Sequence, residues 1–317
     1  MTDTQNEVFK TPVNKIRLFE HGAPGSQNLK LTRKYYTEDM PDGRVKHIVQ
    51  NITDPDIVPY IPDGIGNSTD RQRIPAVLII PGGAFRRLVY NFEGEDVAKW
   101  LNSMGIAAFV LECRLPSDEH DNAEDVPLID AMRAMRVIRG RAQEFGIDEA
   151  KIGVMGFSAG GFMAALLSTA YESDVYADYK YKDEYDKLSA RPDFAVCSYP
   201  VISIDDCIEA GKRYMSEEQV LERISDSKAK ILHKYNPDKL VRPDMPPVFI
   251  CETDDDRTTL SENSVGFYMA VRKAGVSAEL HIFRTGGHGY GCGNDFAQTG
   301  EWKVLFTKWI KSIGIIS

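Results

Sequence analysis

The stretch Gly156-Phe157-Ser158-Ala159-Gly160 constrains this chain more than any other, because of what flanks it. Ahead of it lies a short apolar run, Lys151-Ile152-Gly153-Val154-Met155, and behind it a helix-forming run, Phe162-Met163-Ala164-Ala165-Leu166-Leu167. A strand that turns into a helix at a serine, with glycine two residues to either side, is the nucleophile elbow pattern. The glycines leave room for a sharp, strained turn in which a Cβ would clash, and that turn lifts the Ser158 hydroxyl clear of the backbone. A bare pentapeptide of this composition is common; the strand before it and the helix after it turn it into a statement about the fold.

The rest of the chain fits that statement. Strand-like runs at Ala76 to Ile80, Ile106 to Leu111 and Lys151 to Met155 alternate with helical patterns near Glu93 to Met104 and Leu128 to Phe145. Further strand candidates are Phe194 to Ser198, Val248 to Glu252 and Ala278 to Phe283, with helices near Glu262 to Ala274 and Phe296 to Ile310. Such alternation predicts an α/β fold with a mostly parallel central sheet flanked by helices. Two earlier β-rich segments, Val45 to Ile52 and Ile57 to Ile61, are followed by the turn-rich Pro62-Asp63-Gly64-Ile65-Gly66-Asn67 and read as an antiparallel entry to a sheet. The alternation breaks over about 171–191 and again over about 203–245, where the chain is polar, acidic and tyrosine-rich. Insertions there act as a cap or lid over a substrate, or are solvated surface excursions. With 317 residues, 43% of them hydrophobic, one large domain over 1–317 accounts for the whole chain.

A formal charge of −9, with acidic residues spread along the chain, argues against a nucleic-acid surface and against anionic membranes as partners. The start, Met1-Thr2-Asp3-Thr4-Gln5-Asn6-Glu7, has neither a positive nor an apolar leader segment, so the expectation is a soluble cytoplasmic protein. Cys113, Cys197, Cys207, Cys251 and Cys292 are an odd number without a CxxC pair, which fits reduced thiols, the first, second and fourth as buried structural groups in strands.

A serine hydroxyl is a poor nucleophile near neutral pH, so Ser158 needs a base within reach and a third group to orient that base. In a sheet of this kind they follow in the order serine, acid, histidine, on loops after later strands. His288, in Thr285-Gly286-Gly287-His288-Gly289-Tyr290-Gly291, follows the strand ending at Phe283 and is the best base by position. His21 and His47 precede the sheet core, His120 and His233 sit in polar stretches, and His281 is inside a strand. The acid belongs to Thr253-Asp254-Asp255-Asp256-Arg257, where Asp256 is chosen and Asp255 held in reserve. Any of the three could equally be a turn or cap residue, and an acidic triplet without EF-hand spacing is a poor calcium site, so no metal and no cofactor is expected. Acyl chemistry also needs donors for a developing oxyanion. Pro81-Gly82-Gly83-Ala84-Phe85 follows a strand where such a loop belongs, and Ala159 follows the nucleophile at a helix N-terminus, so the candidate donors are the amides of Gly83, Ala84 and Ala159.

With these residues placed, the chain resembles the acetyl xylan esterase-like α/β-hydrolases, relatives of the hormone-sensitive-lipase type with Pro-Gly-Gly in place of His-Gly-Gly. The matching segments include Gly22-Ala23-Pro24-Gly25-Ser26, Ile79-Ile80-Pro81-Gly82-Gly83-Ala84-Phe85, Gly105-Ile106-Ala107-Ala108-Phe109 and Ile152 to Gly161. They continue with Tyr199-Pro200-Val201-Ile202-Ser203, Pro246-Pro247-Val248-Phe249, Ser261-Glu262-Asn263-Ser264 and Gly286-Gly287-His288-Gly289. The resemblance implies a triad of Ser158, Asp256 and His288, since Asp256 stands where the family has the aspartate of its Asp-x-Val-Val-Pro motif. Two departures stand out: Thr258-Thr259-Leu260 replaces Val-Val-Pro, and Ala84-Phe85-Arg86-Arg87 follows Pro-Gly-Gly where relatives carry a third glycine and small residues. Arg86 and Arg87 are weighed as contacts for an acidic or heavily hydroxylated leaving group against a solvated arginine pair.

The resemblance further implies a serine carboxylesterase for short acyl esters, acetyl above all, on xylo-oligosaccharides or similar plant sugars. Its partner would be a small-molecule ester or acylated oligosaccharide, and a homo-oligomer stays open. Tyr171, Tyr176, Tyr179, Tyr181 and Tyr185 are weighed as sugar-stacking rings against a solvated or partly packed helix. The competing readings are a prolyl-oligopeptidase-like serine peptidase and a catalytically silent member of the fold that binds a small ligand.

Overall fold

The strand-forming runs read above come together around the serine-bearing strand. The computed structural model describes residues 9, 13–64, 73–213, 215–216, 218–220, 227–293 and 297–317. Its strands are β1 (Ile16–Arg17), β2 (Lys34–Asp39), β3 (Val45–Gln50), β4 (Asp56–Tyr60), β5 (Ile74–Ile80), β6 (Leu88–Val89), β7 (Ala107–Glu112), β8 (Ile147–Phe157), β9 (Ala195–Ser198), β10 (Val248–Thr253) and β11 (Ala278–Phe283). The helices are α1 (Asp96–Ser103), α2 (Val126–Gly140), α3 (Ala142–Phe145), α4 (Ala159–Ala170), α5 (Ile204–Lys212), α6 (Ser227–Lys234), α7 (Ser261–Lys273) and α8 (Glu301–Ser312). The expected turn residues 65–67, the first residue of the expected Phe296 helix, the start of the chain and the Cys207 thiol lie outside what is described.

Eight strands form the main sheet in the order β1-β4-β7-β5-β8-β9-β10-β11. From β7 to β11 every pairing is parallel, while β4 joins β7, and β1 joins β4, antiparallel. Helices on both faces require the inner strands to be apolar throughout, and β7, β9 and β10 are buried at every position. Helix α4 follows the same logic: Ala159 through Thr169 are all buried, so it is a core helix with no solvent face. Because β5, β8, β10 and β11 run parallel, their C-terminal ends share one edge of the sheet. The loops opening there begin at Pro81, Ser158, Asp254 and Arg284.

The two early segments part company. Val45 to Ile52 contributes β3 to a separate three-stranded antiparallel sheet, β2-β3-β6, whereas Ile57 to Ile61 contributes β4 to the main sheet. Between them Asn51 takes a left-handed conformation, φ 57°, that redirects the chain. The tyrosine-rich stretch is not a helix either: residues 171–183 are turns, followed by a short 3-10 turn at Glu184–Lys187. Arginines on α2 hold it in place: Arg133 bonds Asp183 and Asp186, Arg136 bonds the Tyr176 hydroxyl, and Arg139 bonds the Ser189 carbonyl. Tyr176 is thereby buried, while Tyr181 stays exposed against His21.

Candidate active site

Ser158 sits where β8 ends and α4 begins, with φ 53° and ψ −117°. An L-residue pays about 1–3 kcal/mol to stay in such a region, so the surroundings must enforce it. They do so through close backbone contacts: the Ser158 amide donates to the Ser198 carbonyl at 3.0 Å, and its carbonyl accepts from Phe162 at 3.0 Å. The flanking glycines are sterically required. A Cβ on Gly156 would lie 1.9 Å from the Gly160 carbonyl oxygen, and one on Gly160 would lie 1.9 Å from that of Ile80. Both obstacles are backbone and cannot rotate away. Gly160→Ala is therefore expected to destabilise the fold by about 4 kcal/mol or more, read as a drop in thermal midpoint or loss of soluble protein.

The structure brings the three residues of the expected triad into one hydrogen-bonded chain. His288 Nε2 lies 2.8 Å from Ser158 Oγ, and His288 Nδ1 lies 2.6 Å from Asp256 Oδ2. With the proton on Nδ1, His288 donates to Asp256 and accepts from the serine hydroxyl. Asp256 is almost wholly buried and well anchored: Oδ1 accepts from the Thr258 and Thr259 amides at 2.7 and 2.9 Å, and Oδ2 from the Thr259 hydroxyl at 3.0 Å. Burial alone would raise its pKa. The bond to His288, the histidine's charge and the two amides outweigh it and hold the carboxyl below its ordinary value. Thus the Thr258-Thr259 departure supplies a hydroxyl to the acid that the family's valines could not.

Asp255, the reserve candidate, points elsewhere. Its Oδ1 accepts from the amides of Gly286 and Gly287 at 2.9 and 2.8 Å, pinning the loop that carries His288. The amide of Asp254 closes on the Phe283 carbonyl at 2.8 Å. Among the described residues no group of three or more His, Cys, Asp or Glu is arranged to hold a metal ion.

The Pro81-Gly82-Gly83 loop lies directly against the nucleophile: a Cβ on Gly82 would come within 2.9 Å of Ser158 Cβ. The Gly82 amide is already spent on Glu93 Oε2 at 2.8 Å. The amides of Gly83, Ala84 and Ala159 have no acceptor among the described residues. Gly83, Ala84 and Phe85 all have positive φ, 140°, 57° and 60°, a run of strained backbone closed by the Arg86 and Arg87 amides on the Gly83 carbonyl. A small apolar cavity of about 20 Å³ lies between this loop and the start of α4, lined among others by Phe85, Leu115, Ala159 and Met163. Arg87 also lines it, but its guanidinium is tied to Glu38 of β2 at 2.5 Å. Arg86 is exposed, its carbonyl accepting from Gln50 at 3.0 Å.

Three further polar residues belong to the site, and none was picked out from the sequence. Glu93, in the turn before α1, is 5% exposed and bonds the Gly82 amide and, through Oε1, the Tyr199 hydroxyl at 3.0 Å. Burial raises its carboxyl above the ordinary value, opposed by the charge of His288, the Gly82 amide, the Tyr199 hydroxyl and Lys46. Tyr199, itself left-handed at φ 37°, packs its ring edge-on to His288 at 5.0 Å, and its hydroxyl also accepts from the Gly291 amide at 3.0 Å. Glu252, at the end of β10, accepts from the Thr253 amide and the Ser264 hydroxyl. Burial, with the nearby Asp256 charge, raises its carboxyl well above the ordinary range. The thiols of Cys113, Cys197 and Cys251 are free and buried, and burial pushes Cys251 up to about 12.

Comparison with known proteins places the chain in a family. The chain is similar to a protein named acetylxylan esterase from Xylanibacter ruminicola, 31% identical over 240 residues, which are 75% of this chain and 45% of that protein. The chain thus spans less than half the length of that curated relative. Among solved structures it is similar to an acetyl ester-xyloside bifunctional hydrolase from Caldicellulosiruptor lactoaceticus, with a TM-score of 0.71 and 35% identity over 96% of this chain and 97% of that one. The fold is shared with the carboxylesterase Cest-2923 from Lactobacillus plantarum, at a TM-score of 0.66 and 20% identity over 90% of this chain and 99% of that one. The BD-FAE family model matches residues 65–271, from the approach to β5 through most of α7. The chain belongs to the BD-FAE family and has the α/β-hydrolase fold.

Proposed function

We propose that this protein is a serine carboxylesterase that removes short acyl groups, acetyl above all, from xylan-derived sugars. The observation that carries the reading is the unbroken chain Ser158 Oγ, His288, Asp256 beside three backbone amides without an acceptor among the described residues. His288 Nε2 takes the Ser158 proton as Oγ adds to the ester carbonyl, and the positive imidazole ring rests on ionised Asp256. The carbonyl oxygen becomes an oxyanion bonded by the amides of Gly83, Ala84 and Ala159. Collapse of this intermediate breaks the bond to the alcohol, which leaves with the proton from His288. Water then adds to the acyl-serine by the same route, its proton passing through His288 to Ser158 as the acid departs.

The names of the similar proteins support acetyl and xylan-related substrates. The apolar lining beside Ala159, with Phe85, Leu115 and Met163, supports a small apolar acyl group. Hydrolysis of p-nitrophenyl acetate, butyrate and octanoate, alongside acetylated xylo-oligosaccharides, tests both points. Acetate is expected to exceed octanoate in kcat/KM by about 100-fold, the scale set by forcing several methylenes out of a pocket, and the sugar acetates are expected to be cleaved. Labelling by a fluorophosphonate at Ser158 separates the enzyme from a silent binder. Faster turnover of a peptide amide than of any ester would replace the esterase with a peptidase.

A further inference from the structure

Glu93 and Tyr199 have bonding partners that a purely structural buried pair would not need. A buried carboxylate is costly to desolvate, and an apolar side chain would fill the same volume at no such cost. Here both carboxylate oxygens are satisfied, and every bond in the network leads to a loop of the site. Oε2 holds the amide of Gly82, the residue before candidate donor Gly83; Oε1 holds the Tyr199 hydroxyl, which in turn holds the amide of Gly291, three residues beyond His288. The same tyrosine's carbonyl oxygen lies 3.3 Å from the Thr259 hydroxyl, whose shorter contact, at 3.0 Å, is to Asp256 Oδ2. Gly291 is gripped from its other side by the Trp302 indole, which donates to its carbonyl at 3.1 Å.

Resting on the esterase reading above, we propose that Glu93 and Tyr199 are positioning residues, a buried strut that fixes the distance between the oxyanion loop and the His288 loop. Without it the Gly82 amide loses its anchor, and the strained run after it is free to relax away from Ser158. The Gly291 end of the histidine loop loses a bond at the same time. Glu93 acts through the Gly82 amide, and Tyr199 through the Gly291 amide and its ring against His288, so the effect falls on the chemical step and leaves ground-state substrate binding alone.

The test is the rate of fluorophosphonate labelling at Ser158 together with kcat and KM for p-nitrophenyl acetate, in wild type, Glu93→Gln and Tyr199→Phe. A misplacement of about 1 Å is worth about 100-fold in rate, so Glu93→Gln is expected to lose about 30- to 100-fold in kcat and labelling rate. Tyr199→Phe, which keeps the ring against His288 and removes one hydroxyl, is expected to lose about tenfold. KM should stay within twofold in both. A double variant that loses no more than Glu93→Gln alone would identify the two as one unit. If Glu93→Gln does not fold, Tyr199→Phe decides by itself. Variants that label and turn over like a reactive wild type would overturn the strut. A wild type that is neither labelled nor active would instead overturn the esterase reading, and the strut with it.

Discussion

Replacing Ser158 with alanine is expected to lower kcat for p-nitrophenyl acetate by about 10⁶-fold while leaving the fold intact, because removing the nucleophile of such a triad costs about as much as removing all of it. Alanine keeps the Cβ that the elbow already accommodates and removes only an oxygen whose partner is His288 Nε2 at 2.8 Å. The substitution should therefore leave the thermal midpoint almost unchanged. Loss of labelling at position 158 together with an unchanged midpoint is the expected pair of results. Residual wild-type turnover in the purified variant would mean that another residue attacks the ester.

Asp256→Asn is expected to lower kcat by about 10⁴-fold, with KM little changed. The asparagine would still accept from the Thr258 and Thr259 amides, so the loop should stay in place. Its NH2 group, however, would face His288 Nδ1 and favour the tautomer with the proton on Nε2, where it cannot accept from Ser158. The matched control is Asp255→Asn, which loosens the bonds to Gly286 and Gly287 but leaves the acid intact. A loss of about tenfold there, against 10⁴ at the neighbouring position, assigns the acid by experiment. The depressed pKa of Asp256 adds a pH signature. Its ionised form stabilises the folded protein above the ordinary value of 3.8, and that contribution is lost only as the pH falls through the still lower folded value. Wild type and Asp256→Asn should thus differ in stability near neutral pH and converge in strong acid.

The ease of reading parts of this molecule from its sequence follows from how local their physics is. The elbow was legible because its demands are steric and lie within five residues, Gly156 to Gly160. His288 was legible because glycines crowd its loop and a strand ends just before it. The acid could not be chosen by local rules: Asp254, Asp255 and Asp256 are the same residue type in one turn, and they separate only once the loop is folded against residues 283–288. Counting back from Glu262-Asn263-Ser264 picked the residue that bonds His288. Strand β2 gives no sequence signal, because Lys34–Asp39 is half-exposed along its length and shows no clean alternation. The tyrosine-rich segment was weighed as a helix because nothing local announces that Arg133 and Arg136 of α2 will claim its side chains. The site roles of Glu93 and Tyr199 are illegible in the sequence for the same reason. Glu93 reads as a solvated charge at a helix start, and only the packing of α1 beneath the Gly82 loop buries it.

The order of the main sheet also bears on how Ser158, Asp256 and His288 meet during folding. Strand β8, which delivers Ser158, pairs on one side with β5, about 75 residues earlier, and on the other with β9, about 40 residues later. His288 follows β11, the strand at the far edge, which pairs with β10. Its bonds to Asp256 and Ser158 span 32 and 130 residues of sequence, and closing such long loops is the slow kind of step in assembly. Helices and local turns can form within a nascent chain of this sequence before the three residues meet. Partial unfolding of the β10 and β11 edge would part Asp256 and His288 from Ser158 while β5, β7 and β8 stayed paired.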